Sequence, residues 1–274
     1  MFVESGGVRC FAEVVGPADG PAIVCIHGGF GLDHSYFWPA LRPLAATHRL
    51  VLPDLRGHGR SDPLPAEGFR MEDVIQDLEA LREAVGLEQW CVLGHSGGGF
   101  VATAYAGTHP DRVRALLLVC AFPRYPFFAA EWLRRAKDLG DPEIEEGLAM
   151  FLRGVRTDAE YRAASLKIAP LFFADPRAVY RRAFARIIHR VAPYRDALAR
   201  YSGVDWGPRA APYRGRALLL HGDRDPRVPM REGKKWLRFL PQAEWMALPG
   251  VGHFPFLEQP ERFCAAARSW LART

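Results

Sequence analysis

Five cysteines, Cys10, Cys25, Cys91, Cys120 and Cys264, are scattered along 274 residues, mostly inside apolar runs and with no Cys-x-x-Cys pair among them. That scarcity argues against a disulfide frame or a zinc site; small buried thiols in a reducing compartment explain them better. No stretch approaches the roughly 20 apolar residues that span a bilayer. The opening Met1-Phe2-Val3-Glu4-Ser5-Gly6-Gly7 also lacks the basic and apolar regions of a secretory leader. A soluble, cytoplasmic protein with no membrane partner is expected. Basic runs are missing too: the net charge of +5 comes mainly from arginines interleaved with acids, as in Arg134-Arg135-Ala136-Lys137-Asp138. Such a surface is solvated rather than shaped for nucleic acid, which needs basic residues gathered on one face. The glycine loops lack the Gly-Lys-Ser/Thr ending of a phosphate loop, and no acidic residue ends Leu116-Leu117-Leu118-Val119-Cys120, which weighs against a nucleotide cofactor. Repeats and low-complexity tracts do not occur.

What the chain does have is apolar content, 49% of its residues, ample for one large core. Strand-like runs alternate with helix-like segments, the pattern of an α/β fold whose mostly parallel sheet is covered on both faces. Val8 to Val15 is predicted as an early edge strand. Core strands follow at Ala22 to Ile26, Leu50 to Leu52, Trp90 to Leu93, Ala115 to Cys120, Ala217 to Leu220 and Glu244 to Leu248. Helices are predicted over Trp38 to Ala46, Met71 to Val85, Phe100 to Thr108, Arg231 to Phe239 and Pro260 to Leu271. Between Pro123 and Tyr213 the strand rhythm stops, and helical patterns such as Glu145 to Arg153 and Arg177 to Val191 take over, with prolines near their ends. The expected division is a core of residues 1–122 and 214–274 and a helical lid of residues 123–213.

Chemistry enters at Gly94-His95-Ser96-Gly97-Gly98, which follows the strand Trp90-Cys91-Val92-Leu93 and opens into a helix. Glycines on both sides of Ser96 permit a sharp strand-to-helix turn, and the first helical N–H groups can face an oxyanion. A serine hydroxyl attacks a carbonyl poorly unless a base takes its proton and an acid orients that base. His253, in Pro249-Gly250-Val251-Gly252-His253-Phe254, supplies the base, and the loop His221-Gly222-Asp223-Arg224-Asp225-Pro226 supplies the acid. Asp225 is preferred to Asp223 because it lies further into the loop and Pro226 fixes its exit. Both loops follow strands, so all three groups fall at one edge of a parallel sheet. The other histidines are weaker candidates, since His27, His58 and His221 sit in turn motifs and His95 diverges from Ser96 across the turn. His27-Gly28-Gly29-Phe30-Gly31 offers an oxyanion donor at Gly29 or Phe30, and Gly97 offers another. Phe30, His95, Phe122, Trp132 and Phe254 are the residues expected to touch substrate.

Taken in order, His27-Gly28-Gly29, Asp54-Leu55-Arg56-Gly57-His58-Gly59-Arg60-Ser61, Gly94-His95-Ser96-Gly97-Gly98, Gly222-Asp223-Arg224-Asp225 and Gly252-His253 resemble the motifs of the α/β-hydrolase superfamily over nearly the full chain. The resemblance implies an eight-stranded, mostly parallel sheet, a helical cap after the sixth strand, and a Ser96-Asp225-His253 triad with no cofactor or metal. The stretch from His27 to Phe37 is similar to the opening of proline iminopeptidases. Those enzymes usually have proline at the position of Phe30, Gly-Gly-Ser-Trp-Gly around the nucleophile and Asp-Gln-Arg-Gly-x-Gly upstream. The departures here point toward esterases, lactonases and carbon-carbon hydrolases.

The implied function is hydrolysis of a small, partly hydrophobic ester or amide through an acyl-enzyme. An aminopeptidase would need lid carboxylates over the nucleophile, for which Glu131, Glu143, Glu145, Glu146 and Glu160 are available. Aromatic residues crowd the same segment, among them Tyr125, Phe127, Phe128, Phe151, Phe172, Phe173, Tyr180 and Trp206. Rival readings are a cofactor-free haloperoxidase or perhydrolase on the same triad and a small-ligand receptor whose hydrolysis is incidental. The expected partner is a small-molecule substrate, with a homo-oligomer left open.

Overall fold

The computed structural model describes residues 1–124, 129–175 and 183–273, the 129–131 stretch by its backbone alone. Eight strands form one sheet: β1 (Phe2–Ser5), β2 (Val8–Val15), β3 (Ala22–Ile26), β4 (Arg49–Pro53), β5 (Trp90–His95), β6 (Val113–Val119), β7 (Arg216–Gly222) and β8 (Glu244–Leu248). Their order is β1-β2-β4-β3-β5-β6-β7-β8. The pairs β1–β2 and β2–β4 are antiparallel and all others parallel.

Strand periodicity divides the core. Val24, Ile26, Val92, Leu116 and Leu118 face one side with helices Met71–Ala84 and Gly98–Thr108, while Ile23, Cys25, Leu93, Leu117 and Val119 face the other with Pro260–Leu271. Near-continuous apolar strands are what a sheet buried on both faces requires.

The edge of the sheet is β1, not Val8–Val15, which lies second. Phe2–Ser5 is short and half exposed, so it has no apolar run to betray it. Gly6 and Gly7, at φ 54° and 76°, make the two-residue turn that sets its antiparallel register.

Two expected helices are broken. Trp38 to Ala46 holds only the turn Arg42–Ala45, because Pro39 and Pro43 withhold N–H groups from a longer ladder. Arg231 to Phe239 divides into Met230–Gly233 and the 3₁₀ segment Lys234–Arg238. Of the helix expected over Arg177 to Val191, residues 177–182 lie outside the described residues; residues 187–190 are not helical, and the next helix starts at Val191.

Between β6 and β7 the described residues form no strand. They make helices Ala129–Leu139, Pro142–Arg153, Asp158–Ile168, Val191–Tyr201 and Gly207–Ala210. The third carries a capping box: Thr157 Oγ accepts from the Glu160 N–H, and the Glu160 carboxylate accepts from the Thr157 N–H.

Candidate active site

Loops leaving the C-terminal ends of β5, β7 and β8 bring Ser96, Asp225 and His253 to one rim of the sheet. Ser96 sits in the left-handed region at φ 52°, which a non-glycine residue occupies only where its surroundings enforce it. Its N–H donates to the Val119 carbonyl at 2.9 Å, and its carbonyl accepts from Gly99 N–H at 3.0 Å. Close packing explains the nearby glycines: a Cβ on Gly94 would lie 2.7 Å from the Gly98 carbonyl oxygen, and one on Gly98 would lie 2.4 Å from that of Ile26.

The Asp225 carboxylate accepts His253 Nδ1–H at 2.8 Å on Oδ2, and the N–H groups of Arg227 and Val228, both at 2.8 Å, on Oδ1. Because a carboxylate only accepts, the lone pair of the neutral imidazole is on Nε2, which faces Ser96 Oγ at 2.9 Å. Burial opposes ionisation of Asp225, but His253, His221 and the Val228 N–H outweigh it and hold its pKa below the ordinary carboxylate value. The second acid of that loop does something else. Asp223 Oδ1 accepts Gly250 N–H at 2.7 Å and braces the turn before His253.

Three backbone N–H groups are free to receive an oxyanion. Gly28 N–H is taken by the Tyr36 hydroxyl, whereas those of Gly29, Phe30 and Gly97 have no acceptor among the described residues. Gly29 and Gly97 converge: a Cβ on Gly97 would stand 3.6 Å from Gly29 N and 3.7 Å from the Phe30 ring.

A cavity of about 390 Å³ opens over Ser96 and His253. Phe30, His95, Phe122, Trp132 and Phe254 all line it, joined by Leu148, Phe151, Ile168 and Phe172 from the segment between β6 and β7. His95 reaches this wall with both ring nitrogens already bonded elsewhere. The Arg227 guanidinium lies 4.1 Å above the Trp132 ring at the same wall. No aspartate or glutamate among the described residues lines the cavity. Glu146 pairs with Lys167 at 2.7 Å, Glu160 serves its capping box, and Glu143 and Glu145 are exposed in a first helical turn. The side chain of Glu131, with Tyr125, Phe127, Phe128 and Tyr180, lies outside the described residues.

Cys120 Sγ, a carboxylate oxygen of Asp225 and a ring nitrogen of His253 lie within 4.8 Å of one another, all buried. A metal would need the thiolate, yet burial and the Asp225 charge push the Cys120 thiol well above its ordinary pKa. The cluster therefore suits a neutral thiol packed under the acid better than an ion.

Three residues that hold this site carry no functional cue in the sequence. Tyr36 falls within the stretch from His27 to Phe37, but nothing in that stretch announces its contact with Gly28. Glu258, five residues past His253, accepts from the Gly252 N–H. Cys120 has φ 48° at the end of β6, a conformation that no local residue type announces.

A profile of the alpha/beta hydrolase fold matches residues 21–260. The chain belongs to the alpha/beta hydrolase family. This hydrolase is 25% identical over 281 residues to proline iminopeptidase PfmaB of Pestalotiopsis fici, with 99% of each chain covered. It is 28% identical over 257 residues to 2-hydroxy-6-oxononadienedioate/2-hydroxy-6-oxononatrienedioate hydrolase 1 of Dechloromonas aromatica, covering 88% of this chain and 83% of that one. Among solved structures, a proline iminopeptidase-related protein of Thermus thermophilus superposes with a TM-score of 0.79 at 28% identity, over 99% of this chain and 96% of that one. Relatives of this kind are hydrolytic, and so is this enzyme. No helix of the described residues is long and apolar enough to cross a membrane.

Proposed function

We propose that the enzyme hydrolyses small uncharged esters through an acyl-enzyme on Ser96. The observation that carries this reading is the His253 imidazole, 2.8 Å from Asp225 on one nitrogen and 2.9 Å from Ser96 Oγ on the other. In acylation the Oγ–H proton passes to Nε2 as Oγ bonds the carbonyl carbon, while Asp225 holds the Nδ1–H tautomer and stabilises the imidazolium. The developing oxyanion is received by Gly97 N–H and by that of Gly29 or Phe30. Collapse breaks the bond to the leaving alcohol, which takes the Nε2 proton; water then repeats the sequence on the acyl-enzyme.

The cavity favours an apolar acyl or alcohol group. Its lack of described carboxylates speaks against an aminoacyl substrate, whose ammonium group would be desolvated there without a counter-charge. The proline iminopeptidase reading retains one support, the similarity to enzymes of that name. We propose residues 123–213 as the lid over this cavity, and the five free buried cysteines support a reducing, cytoplasmic setting.

A burst of p-nitrophenol from p-nitrophenyl butyrate, stoichiometric with enzyme and absent in Ser96→Ala, is the expected result. Undiminished turnover in that variant rejects the reading. Faster cleavage of proline p-nitroanilide than of the ester transfers the assignment to the aminopeptidase. Peroxide-dependent halogenation that outpaces ester cleavage transfers it to a haloperoxidase.

A further inference from the structure

His95 and Tyr36 form a buried link that the catalytic chemistry above does not use. His95 Nε2 lies 2.9 Å from the His253 carbonyl oxygen; a carbonyl only accepts, so Nε2 carries the hydrogen and Nδ1 the lone pair. Nδ1 faces the Tyr36 hydroxyl at 3.0 Å, which therefore donates to it, and the Tyr36 oxygen in turn accepts Gly28 N–H at 2.5 Å. Donor and acceptor roles thus run in one direction from Gly28 to His253, with every hydrogen assigned. Both residues are 1% exposed. Burial and the neighbouring His253 hold the His95 pKa well below its ordinary value, so the neutral tautomer persists.

The two ends of this chain are functionally distinct. One end turns the Gly28 N–H away from the cavity, leaving its neighbours Gly29 and Phe30 to face substrate. The other pins the backbone of His253, whose own N–H is held by the Phe172 carbonyl at 2.9 Å. We propose that the Gly28–Tyr36–His95–His253 chain is a positioning device that ties the oxyanion loop to the backbone of the general base, with His95 setting where His253 Nε2 stands relative to the leaving group. The inference rests on the acyl-enzyme reading.

The chemistry offers a readout that separates positioning from folding. When the tetrahedral adduct collapses, the C–O bond breaks and an alkoxide needs the Nε2 proton, whereas p-nitrophenolate departs as a stable anion. A displaced base therefore harms alkyl esters more than p-nitrophenyl esters. Fewer folded molecules or a damaged oxyanion pocket harm both alike.

His95→Asn keeps an acceptor for Tyr36 and loses the donor to His253. Per titrated active site, its kcat/KM, which covers only the steps up to acylation, is expected to fall roughly 10- to 100-fold more on ethyl butyrate than on p-nitrophenyl butyrate. His95→Gln, which returns an N–H near the Nε2 position, should recover much of the difference. Tyr36→Phe removes one hydroxyl, releases the tautomer, and is expected to show the same split more weakly if His95→Asn does not fold. Equal losses on the two esters, or none, overturn the proposal. A second measurement needs no turnover: long-range ¹H–¹⁵N spectra of the wild type should show His95 as the neutral Nε2–H tautomer from roughly pH 5 to 8. An Nδ1–H tautomer or an imidazolium there overturns it equally. Failure of the acyl-enzyme reading shows separately, as ester turnover that survives Ser96→Ala.

Discussion

Glu258 receives the Gly252 N–H on both carboxylate oxygens, at 3.0 and 3.1 Å. Its Oε2 also accepts Ala174 N–H at 2.9 Å, so one side chain fastens the loop carrying His253 to the segment that follows helix Asp158–Ile168. Glu258→Ala leaves two part-buried N–H groups, those of Gly252 and Ala174, without this acceptor, at about 1 kcal/mol each. A clear drop in melting temperature, with a larger loss in kcat than in KM, is the expected outcome; unchanged melting would refute the role of the bridge.

Two acids two residues apart should behave very differently. Asp225→Asn puts an amide where His253 needs an acceptor and favours the wrong tautomer, an effect of about 10⁴ in kcat in triads of this kind. Asp223→Asn weakens one exposed turn bond, and its kcat should stay within about three-fold of wild type, since surface changes of this kind cost about 0.5 kcal/mol or less. Steady-state kinetics on one ester decides the matter, and comparable losses in both variants would contradict the geometry.

Residues Gly28 and Gly97 give a contrast between folding and chemistry. A Cβ on Gly28 would lie 2.3 Å from the His95 carbonyl oxygen, an overlap with backbone that nothing can relieve. Gly28→Ala should lower stability by about 1–3 kcal/mol or more. A methyl at Gly97 meets only ordinary contacts, the nearest Gly29 N at 3.6 Å, but it stands where the oxyanion would. Gly97→Ala is expected to melt like wild type and to lose about 10-fold or more in kcat. Reversed behaviour of the two variants in paired melting and kinetic assays would show that the N–H groups do not converge as described.

How much of this was legible beforehand differs by element. That Ser96, Asp225 and His253 meet at one rim was legible because each follows an apolar strand and sits in a glycine-marked loop, so local pattern and topology agree. The capping box Thr157-Asp158-Ala159-Glu160 marks the start of helix Asp158–Ile168 as plainly, although no long apolar stripe accompanies it. Phe2–Ser5 was not legible, because a short exposed strand has neither alternation nor burial in its sequence. The Tyr36 and Glu258 contacts join residues whose proximity is created only by the assembled sheet.

Two buried histidines near the oxyanion loop make acid stability predictable in sign. His27 Nε2 accepts Leu55 N–H at 3.2 Å, and His58 Nδ1–H donates to the Arg56 carbonyl at 2.8 Å. Burial, reinforced by His58, pushes His27 down to about 3, and burial pushes His58 down to about 4. In the unfolded chain both take protons near pH 6.5. Between about pH 6.5 and 4 the unfolded state therefore binds more protons, and stability declines as pH falls. Melting temperature should drop across that window in wild type and drop less steeply in His58→Gln. A flat wild-type profile would mean that these rings are solvated.

Trp132 provides the test of cavity shape. Its indole lines the wall beneath the Arg227 guanidinium and stands edge-on to Phe172 at 5.6 Å between ring centroids. Removing it lengthens the apolar space over Ser96 without altering Ser96, Asp225 or His253. Each methylene that gains burial adds about 0.8 kcal/mol, about four-fold in kcat/KM. In Trp132→Ala the best p-nitrophenyl ester should consequently become a longer one, with short esters weakened because they no longer fill the space. If the chain-length profiles of variant and wild type superimpose, the acyl group occupies some other part of the cavity, and the wall formed by Phe122 and Phe30 becomes the surface that measures it.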